Sequence, residues 1–285
     1  MELKTIGILG AGAMGGGIAQ VAAQAGFHVK LSDVDIKFAE RALDRINDFM
    51  TRSVAKGKLQ EAEKNAILGR IAPCHSVEEY ADVDLVIEAI IEDLPAKMEA
   101  FKSLDRICKP EAILATNTSS MSITMIAACT GRSEKVAGMH FFNPPPLMRL
   151  VEIIRGYNTA GETVQVLAEV ARKMGKTTVD VKKDSPGFVV NRILMAQLLE
   201  AIRLVEEGVA SPQDVDTAVK LGLNYPMGPF ELQDFTGVDI GYYVANYFYE
   251  EFKDIRWNPP QALKSLIRAN RLGRKAGAGW YDYSN

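Results

Sequence analysis

The first half of the chain alternates short apolar runs with longer stretches whose apolar residues recur at three- and four-residue steps. The short runs predict strands over residues 5–9, 28–32, 85–89, 113–116, 136–141, 151–154 and 177–181. Longer stretches, such as 95–108 and 162–174, predict helices between them. This alternation predicts a mostly parallel, doubly wound sheet with helices on both faces. The pattern changes near Ser185. Ser185-Pro186 reads as an N-cap with Pro at the first helical position, opening a helix to about Glu206. Ser211-Pro212-Gln213-Asp214 repeats the signal with an acidic residue in the first turn. No strand alternation follows. The expected organisation is an α/β domain over 1–185 and an all-helical domain over 186–285. The second part carries Tyr242, Tyr243, Tyr247, Phe248, Tyr249 and Phe252, which either pack a core or form a subunit interface.

Composition narrows the function classes. At roughly 150 residues per domain, 285 residues suggest about two domains. Apolar residues at 47% and charged residues at 24% are ordinary globular usage, which argues against disorder and disulfide scaffolds. Lys plus Arg total 33 against 36 acidic residues, a net charge of −3. That balance speaks against a dedicated nucleic-acid binder or a basic membrane-surface protein, so a polyanionic ligand must find a local basic patch. Cys74, Cys108 and Cys129 match no zinc motif and no CxxC pair, and their odd number closes no disulfide framework. They read as reduced and buried, and no metal is expected. A strand begins almost at the start, where a signal peptide would lie, and no run of about 18 apolar residues occurs. The expectation is a cytoplasmic enzyme or binding protein with no membrane or nucleic-acid partner.

Gly10-Ala11-Gly12-Ala13-Met14-Gly15 is a GxGxxG string between an apolar strand and a helix with Ile18, Val21, Ala22 and Ala25 on one face. Such glycines permit a tight turn, close backbone approach to a pyrophosphate and close helix–strand packing. The helix N-terminus adds unpaired N–H groups and partial positive charge. Asp33 follows the second strand. A carboxylate there can bond both ribose hydroxyls of an adenosine and repel a 2′-phosphate, favouring NAD over NADP. Its alternative role is to cap the helix starting near Ile36.

Of three histidines, His28 and His75 lack a chemical neighbourhood, whereas His140 ends an apolar strand and precedes a proline-fixed loop. Ligands of open α/β sheets bind beyond the carboxyl ends of the strands, where His140 belongs. Glu152 interrupts the run Leu150-Val151-Glu152-Ile153-Ile154 and needs a partner if buried. Pairing with His140 would orient the ring and stabilise its cation. A solvent-facing edge-strand position is the alternative. Thr116-Asn117-Thr118-Ser119-Ser120, at another strand end, suits an oxyanion or nicotinamide contact, or the capping of a helix from about Ile123. Asn191, on the first helix of the second domain, could bond a substrate oxygen if that helix faces the crevice. Together these groups suit alcohol oxidation. An imidazole takes the hydroxyl proton, a nicotinamide takes the hydride, and Ser and Asn donors hold the oxygen.

The segments GAGAMGGGIAQVAA, VIEAIIED, ATNTSS, HFFNPPPLMRLVE, DSPGFVVNR, YPMGPFELQD and GRKAGAGWYDY span nearly the whole chain. Together they resemble the short-chain L-3-hydroxyacyl-CoA dehydrogenase family, particularly its bacterial 3-hydroxybutyryl-CoA dehydrogenases. The resemblance implies a Rossmann-like N-terminal domain, a helical C-terminal domain and a homodimer formed by the latter. It matches His140 to the family's base, Glu152 to its carboxylate partner, and Ser119 and Asn191 to residues bonding the substrate's 3-oxygen and thioester region. Asp33 matches the ribose ligand. Glu92, Lys97, Asn143 and Lys275 match positions lining the NAD site or the closed cleft, beside Asn117 and Ser119. The implied reaction interconverts (S)-3-hydroxybutyryl-CoA and acetoacetyl-CoA with NAD.

Coenzyme A requires local positive charge. Arg52, Lys56, Lys58 and Lys64 lie where family members place a CoA-contacting helical pair, with Lys56 the first candidate and Lys58 the second. The alternative is a solvated helical face. Met50 stands where some mitochondrial relatives carry Ser. Two other readings compete. One is oxidation of a free 3-hydroxy acid such as a sugar acid. The other is a non-enzymatic dinucleotide-binding protein, as some lens crystallins are, which leaves the Ser119, His140, Glu152 and Asn191 set unexplained.

Overall fold

The computed structural model describes residues 3–283, and the chain divides into two compact units, 1–185 and 186–285. The first unit opens with β1 (Thr5–Leu9), α1 (Ala13–Gln24), β2 (His28–Ser32), α2 (Ile36–Ala55), α3 (Glu61–Leu68) and β3 (Ile71–Pro73). It continues with β4 (Leu85–Glu88), α4 (Leu94–Ile107), β5 (Ile113–Thr116), α5 (Ile123–Ala128) and β6 (Val136–Phe141). It closes with β7 (Leu150–Arg155), α6 (Gly161–Lys173) and β8 (Thr177–Val181).

The eight strands form one sheet in the order β3-β2-β1-β4-β5-β6-β7-β8. Strands β3 to β6 run parallel, β7 is antiparallel to β6, and β8 is parallel to β7. The chain winds outward in opposite directions from β1, so a crevice opens past the carboxyl ends of β1 and β4. Every residue of β4, β5 and β6 is buried, which is why these strands read as unbroken apolar runs. Ile18 of α1, Ala42 and Ile46 of α2, Ile67 of α3 and Leu167 of α6 pack one face. Phe101 and Leu104 of α4, Ile126 of α5 and Tyr80 pack the other. Each such side chain contributes roughly 1.5–3 kcal/mol through removal from water.

β3 is an addition to the seven predicted strands. It is three residues long, lies at the sheet edge and ends in Pro73, too short to show alternation. Proline is tolerated there because an edge strand has N–H positions without ladder partners. β4 ends one residue earlier than predicted, and β7 gains one residue at each end.

The second unit holds α7 (Val190–Glu206), α8 (Pro212–Gly222), α9 (Pro229–Thr236), α10 (Val238–Phe252) and α11 (Gln261–Arg268). Among its described residues only isolated bridges occur, at Gly273–Ala278 and Ala278–Asp282. α8 starts at its predicted cap, where Ser211 Oγ accepts from Asp214 N–H at 3.2 Å. α7 starts later than the Ser185-Pro186 signal predicts. Gly187 and Phe188 adopt left-handed backbone (φ 74° and 50°), so helix cannot begin before them. A Cβ on Gly187 would sit 2.2 Å from the Phe248 ring. The aromatic cluster divides. Phe248 is buried edge-on against Trp257 and Phe252, whereas Tyr243 is exposed. Buried Asp216 and Asp234 act as hydrogen-bond hubs. Asp234 accepts from Trp280 and Tyr281 N–H and the Tyr283 hydroxyl, and Asp216 accepts from Phe230 and Glu231 N–H and the Tyr281 hydroxyl.

The three cysteines are free thiols. Cys74 and Cys108 are buried, and burial pushes each up to about 11; Cys129, contrary to expectation, is partly exposed because it follows the short α5 at a surface turn. Among the described residues no helix is long and apolar enough to cross a membrane.

Candidate active site

Gly10 leaves β1 with φ 103°, and a Cβ there would lie 2.4 Å from the Ala89 carbonyl oxygen. A Cβ on Gly15 would lie 1.7 Å from the Gly10 carbonyl oxygen, whereas one on Gly12 would meet nothing within 4 Å. The first and third glycines thus answer packing, and the second leaves open space against bare backbone. α1 begins at Ala13 with no side-chain cap, so its first N–H groups have no side-chain acceptor. This suits a pyrophosphate.

Asp33 Oδ2 accepts from Ala11 N–H at 2.7 Å, and Oδ1 accepts from Val34 N–H at 2.7 Å. It does not cap α2. Asp35 does so, accepting from Lys37 N–H at 2.9 Å. Arg45 of α2 donates from Nη2 to the Ala11 carbonyl at 2.9 Å, so the backbone at Ala11 is held on both sides. Sequence reasoning missed Arg45, one charged residue on an amphipathic helix with no local signal.

The antiparallel pairing of β6 and β7 sets His140 directly opposite Glu152. His140 Nδ1 lies 2.8 Å from Glu152 Oε2, with the side chains 6% and 0% exposed. β7 lies between β6 and β8, so the edge-strand alternative for Glu152 does not hold. A carboxylate only accepts, so Nδ1 carries the proton and Nε2 is the ring's basic atom. The Phe142 ring centroid packs 4.5 Å from that of His140.

Beyond β5, Thr118 Oγ1 donates to Glu92 Oε1 at 2.6 Å, and Ser119 N–H and Oγ donate to the same oxygen at 2.9 and 3.3 Å. Asn117 Oδ1 accepts from Phe141 N–H at 2.8 Å, tying this segment to the residue after His140. None of the five polar residues caps α5; Ser122 does, accepting from Met125 N–H. Partial burial pushes Glu92 up, but the Lys97 ammonium and the Thr118 and Ser119 donors outweigh it and hold the carboxyl below its usual range.

Lys97 is buried, donating to Glu88 Oε1 at 2.7 Å and pairing with Glu92 Oε2 at 3.3 Å. Glu88 is fully buried and also accepts from Thr116 Oγ1 at 2.7 Å and Ile90 N–H at 2.7 Å. It was not singled out in the sequence, where it ends an apolar run much as Glu152 interrupts one. Asn143 is exposed on the loop after β6. Buried Lys176 donates to the Pro145 and Met148 carbonyls at 2.5 and 2.9 Å and pins that loop to the start of β8. Burial pushes this lysine down from its ordinary range.

Lys56 and Lys58 are exposed in the turn between α2 and α3, and Arg52 is exposed on α2. Lys64 does not join them. Its Nζ is buried against Glu61 at 2.6 Å and Thr51 at 3.3 Å, because α3 folds back on α2. Met50 points into the core and is 1% exposed. Asn191, in the first turn of α7, and Lys275, paired with Asp239 at 2.7 Å, belong to the second unit.

A phosphate-binding turn, a carboxylate past β2 and a carboxylate-braced imidazole stand along one edge of a doubly wound sheet. They define the dinucleotide-dependent oxidoreductase class. Residues 5–185 match the family model described as "3-hydroxyacyl-CoA dehydrogenase, NAD binding domain", and 187–283 match "3-hydroxyacyl-CoA dehydrogenase, C-terminal domain". The chain is 48% identical to a probable 3-hydroxybutyryl-CoA dehydrogenase of Bacillus subtilis, over 99% of this chain and 98% of that one. It is 44% identical to a 3-hydroxybutyryl-CoA dehydrogenase of Clostridioides difficile, over 98% and 99%. The crystal structure of an (S)-3-hydroxybutyryl-CoA dehydrogenase from Ralstonia eutropha aligns with a TM-score of 0.97 at 41% identity, covering all of both chains. The chain belongs to the 3-hydroxyacyl-CoA dehydrogenase family and is an NAD-dependent oxidoreductase acting on CH–OH groups. The open space over Gly12 and the carboxylate of Asp33 fit that cofactor.

Proposed function

We propose that this protein interconverts (S)-3-hydroxybutyryl-CoA and acetoacetyl-CoA, with His140 as general base and acid. The buried His140–Glu152 pair carries the reading. His140 Nε2 takes the hydroxyl proton during oxidation and returns it during reduction. Glu152 fixes the ring and stabilises the imidazolium. Ser119 and Asn191 donate to the substrate's 3-oxygen and thioester region. Bound NAD supplies the hydride acceptor. The Gly10–Gly15 turn, comprising Gly10, Ala11, Gly12, Ala13, Met14 and Gly15, holds the pyrophosphate, and Asp33 the adenosine ribose. Glu92, Asn117, Asn143 and Lys275 shape the nicotinamide side. Buried Lys97 serves it through Glu92. Lys56 and Lys58 meet the CoA phosphates. The second unit forms a homodimer, and the enzyme works in the cytoplasm, where its thiols stay reduced.

Three lines support this reading: the names of the relatives, the register of β6 on β7 and the exposed cations between α2 and α3. A free 3-hydroxy acid would have no use for those cations. Steady-state NADH oxidation with acetoacetyl-CoA and with free acetoacetate tests it. The expected outcome is turnover of the thioester and little of the acid. A folded, NADH-binding protein that turns over neither, or prefers the acid, contradicts the assignment.

A further inference from the structure

β4 ends on Glu88, at the carboxyl edge of the sheet where the crevice opens, and Glu88 is fully buried. Its partners are donors: Lys97 Nζ, Thr116 Oγ1 and Ile90 N–H, each at 2.7 Å. Glu88 is therefore a carboxylate facing an ammonium. Lys97 is itself 1% exposed and stands between two acids, with Glu88 Oε1 at 2.7 Å and Glu92 Oε2 at 3.3 Å. Burying such a pair adds little net stability, because desolvation offsets the attraction. A buried ion pair at the mouth of a ligand crevice needs another reason.

The charges supply one. Two carboxylates, Glu88 and Glu92, share the single ammonium of Lys97, so the cluster keeps one net negative charge. Lys97 lies closer to Glu88, which leaves the surplus on Glu92, the member whose side chain is exposed. On the reading above, Glu92 shapes the nicotinamide side. A nicotinamide ring is a cation when oxidised and neutral once reduced. A negative charge beside it therefore favours the oxidised form. Were Glu88 uncharged, Lys97 would neutralise Glu92 and that preference would be lost. We propose that Glu88 is a positioning residue for the cofactor: it holds and neutralises Lys97 within the sheet, so that Glu92 presents a net negative charge to the nicotinamide and favours NAD over NADH. The inference rests on the placement of Glu92 proposed above.

The test is a ratio of dissociation constants in the full chain, with NADH read by fluorescence titration and NAD by displacement of NADH. Contacts common to both forms cancel in that ratio. Glu88→Gln keeps the side-chain size and removes the charge. It should raise Kd for NAD relative to Kd for NADH about 3- to 10-fold, the scale of one charge acting over several ångströms. Adding Lys97→Met removes the paired charges together and should return the ratio to within about twofold of the parent. A merely structural role for Glu88 would not give that return. Glu92→Gln, at a partly exposed position, should shift the ratio in the same direction as Glu88→Gln and serves if the latter does not fold. A folded Glu88→Gln protein with the parent ratio overturns the inference, as does a double variant shifted as far as the single one. A Glu92→Gln protein with both constants at parent values removes Glu92 from the nicotinamide, and this inference with it. Constants that move together in that variant keep Glu92 at the cofactor and remove the charge role of Glu88 alone.

Discussion

Glu152 meets His140 because two strands separated by a short loop pair in antiparallel register, which puts residues 140 and 152 opposite each other. Glu152→Gln keeps a hydrogen-bond acceptor but removes the charge that stabilises the imidazolium. Turnover should fall at least about tenfold. An unchanged rate would reduce Glu152 to a packing role. Asp33→Ala should weaken NAD binding and narrow the preference over NADP, read from the two dissociation constants; an unaltered ratio would remove Asp33 from the ribose. Both residues were legible in the sequence, one as a charge within an apolar run and the other as an acid past a strand that follows GxGxxG. Arg45 was not. On a helix a charged residue reads as solvent-facing, and only the packing of α2 on α1 reveals that Arg45 reaches the Ala11 carbonyl.

Apolar runs revealed seven strands because buried parallel strands need apolar side chains on both faces. They could not reveal β3, whose three residues owe their conformation to pairing with β2. Nor could they show that α7 waits for Val190, since the left-handed backbone at Gly187 and Phe188 leaves no mark in the spacing of apolar residues. The join between β7 and β8 can be tested by acid. Arg155 of β7 donates to Asp180 of β8 at 3.0 and 2.9 Å, and this pairing, aided by Lys182 and opposed by partial burial, holds Asp180 down to about 2. The unfolded carboxyl titrates near ~3.9. A depressed native value stabilises the fold above that pH, and the contribution fades as pH falls toward about 2. The gap in urea midpoint between the parent and Asp180→Asn should be present at about pH 6 and close between about pH 4 and 2. A gap constant across that window would contradict the pairing's charge dependence.

With a net charge of −3, the chain as a whole cannot attract a polyanionic substrate, so the task falls to one local surface. On the proposed reading the exposed cations of the α2–α3 turn provide it, and salt should then raise KM for acetoacetyl-CoA more than for acetoacetyl-pantetheine. Equal salt dependence would count against Lys56 and Lys58. The second unit exposes the large apolar side chains Ile193, Leu221 and Tyr243, and the proposed homodimer would cover such side chains. Sedimentation equilibrium should give about twice the 31.2 kDa chain mass. A single-chain mass at micromolar concentration would rule out the homodimer. The fold class was legible from alternation alone, but the paired acids that pin the tail of the second unit were not, because Asp216 and Asp234 sit in helices where burial leaves no trace in the pattern.

Whether an imidazole braced by a buried carboxylate moves the proton can be decided by following NADH oxidation with acetoacetyl-CoA in the parent and in His140→Ala. NADH affinity is measured on the same samples. The variant should bind NADH like the parent and lose on the order of 10²–10⁴ in kcat. Parent-like turnover by a His140→Ala enzyme with NADH bound would mean that the proton travels by another route.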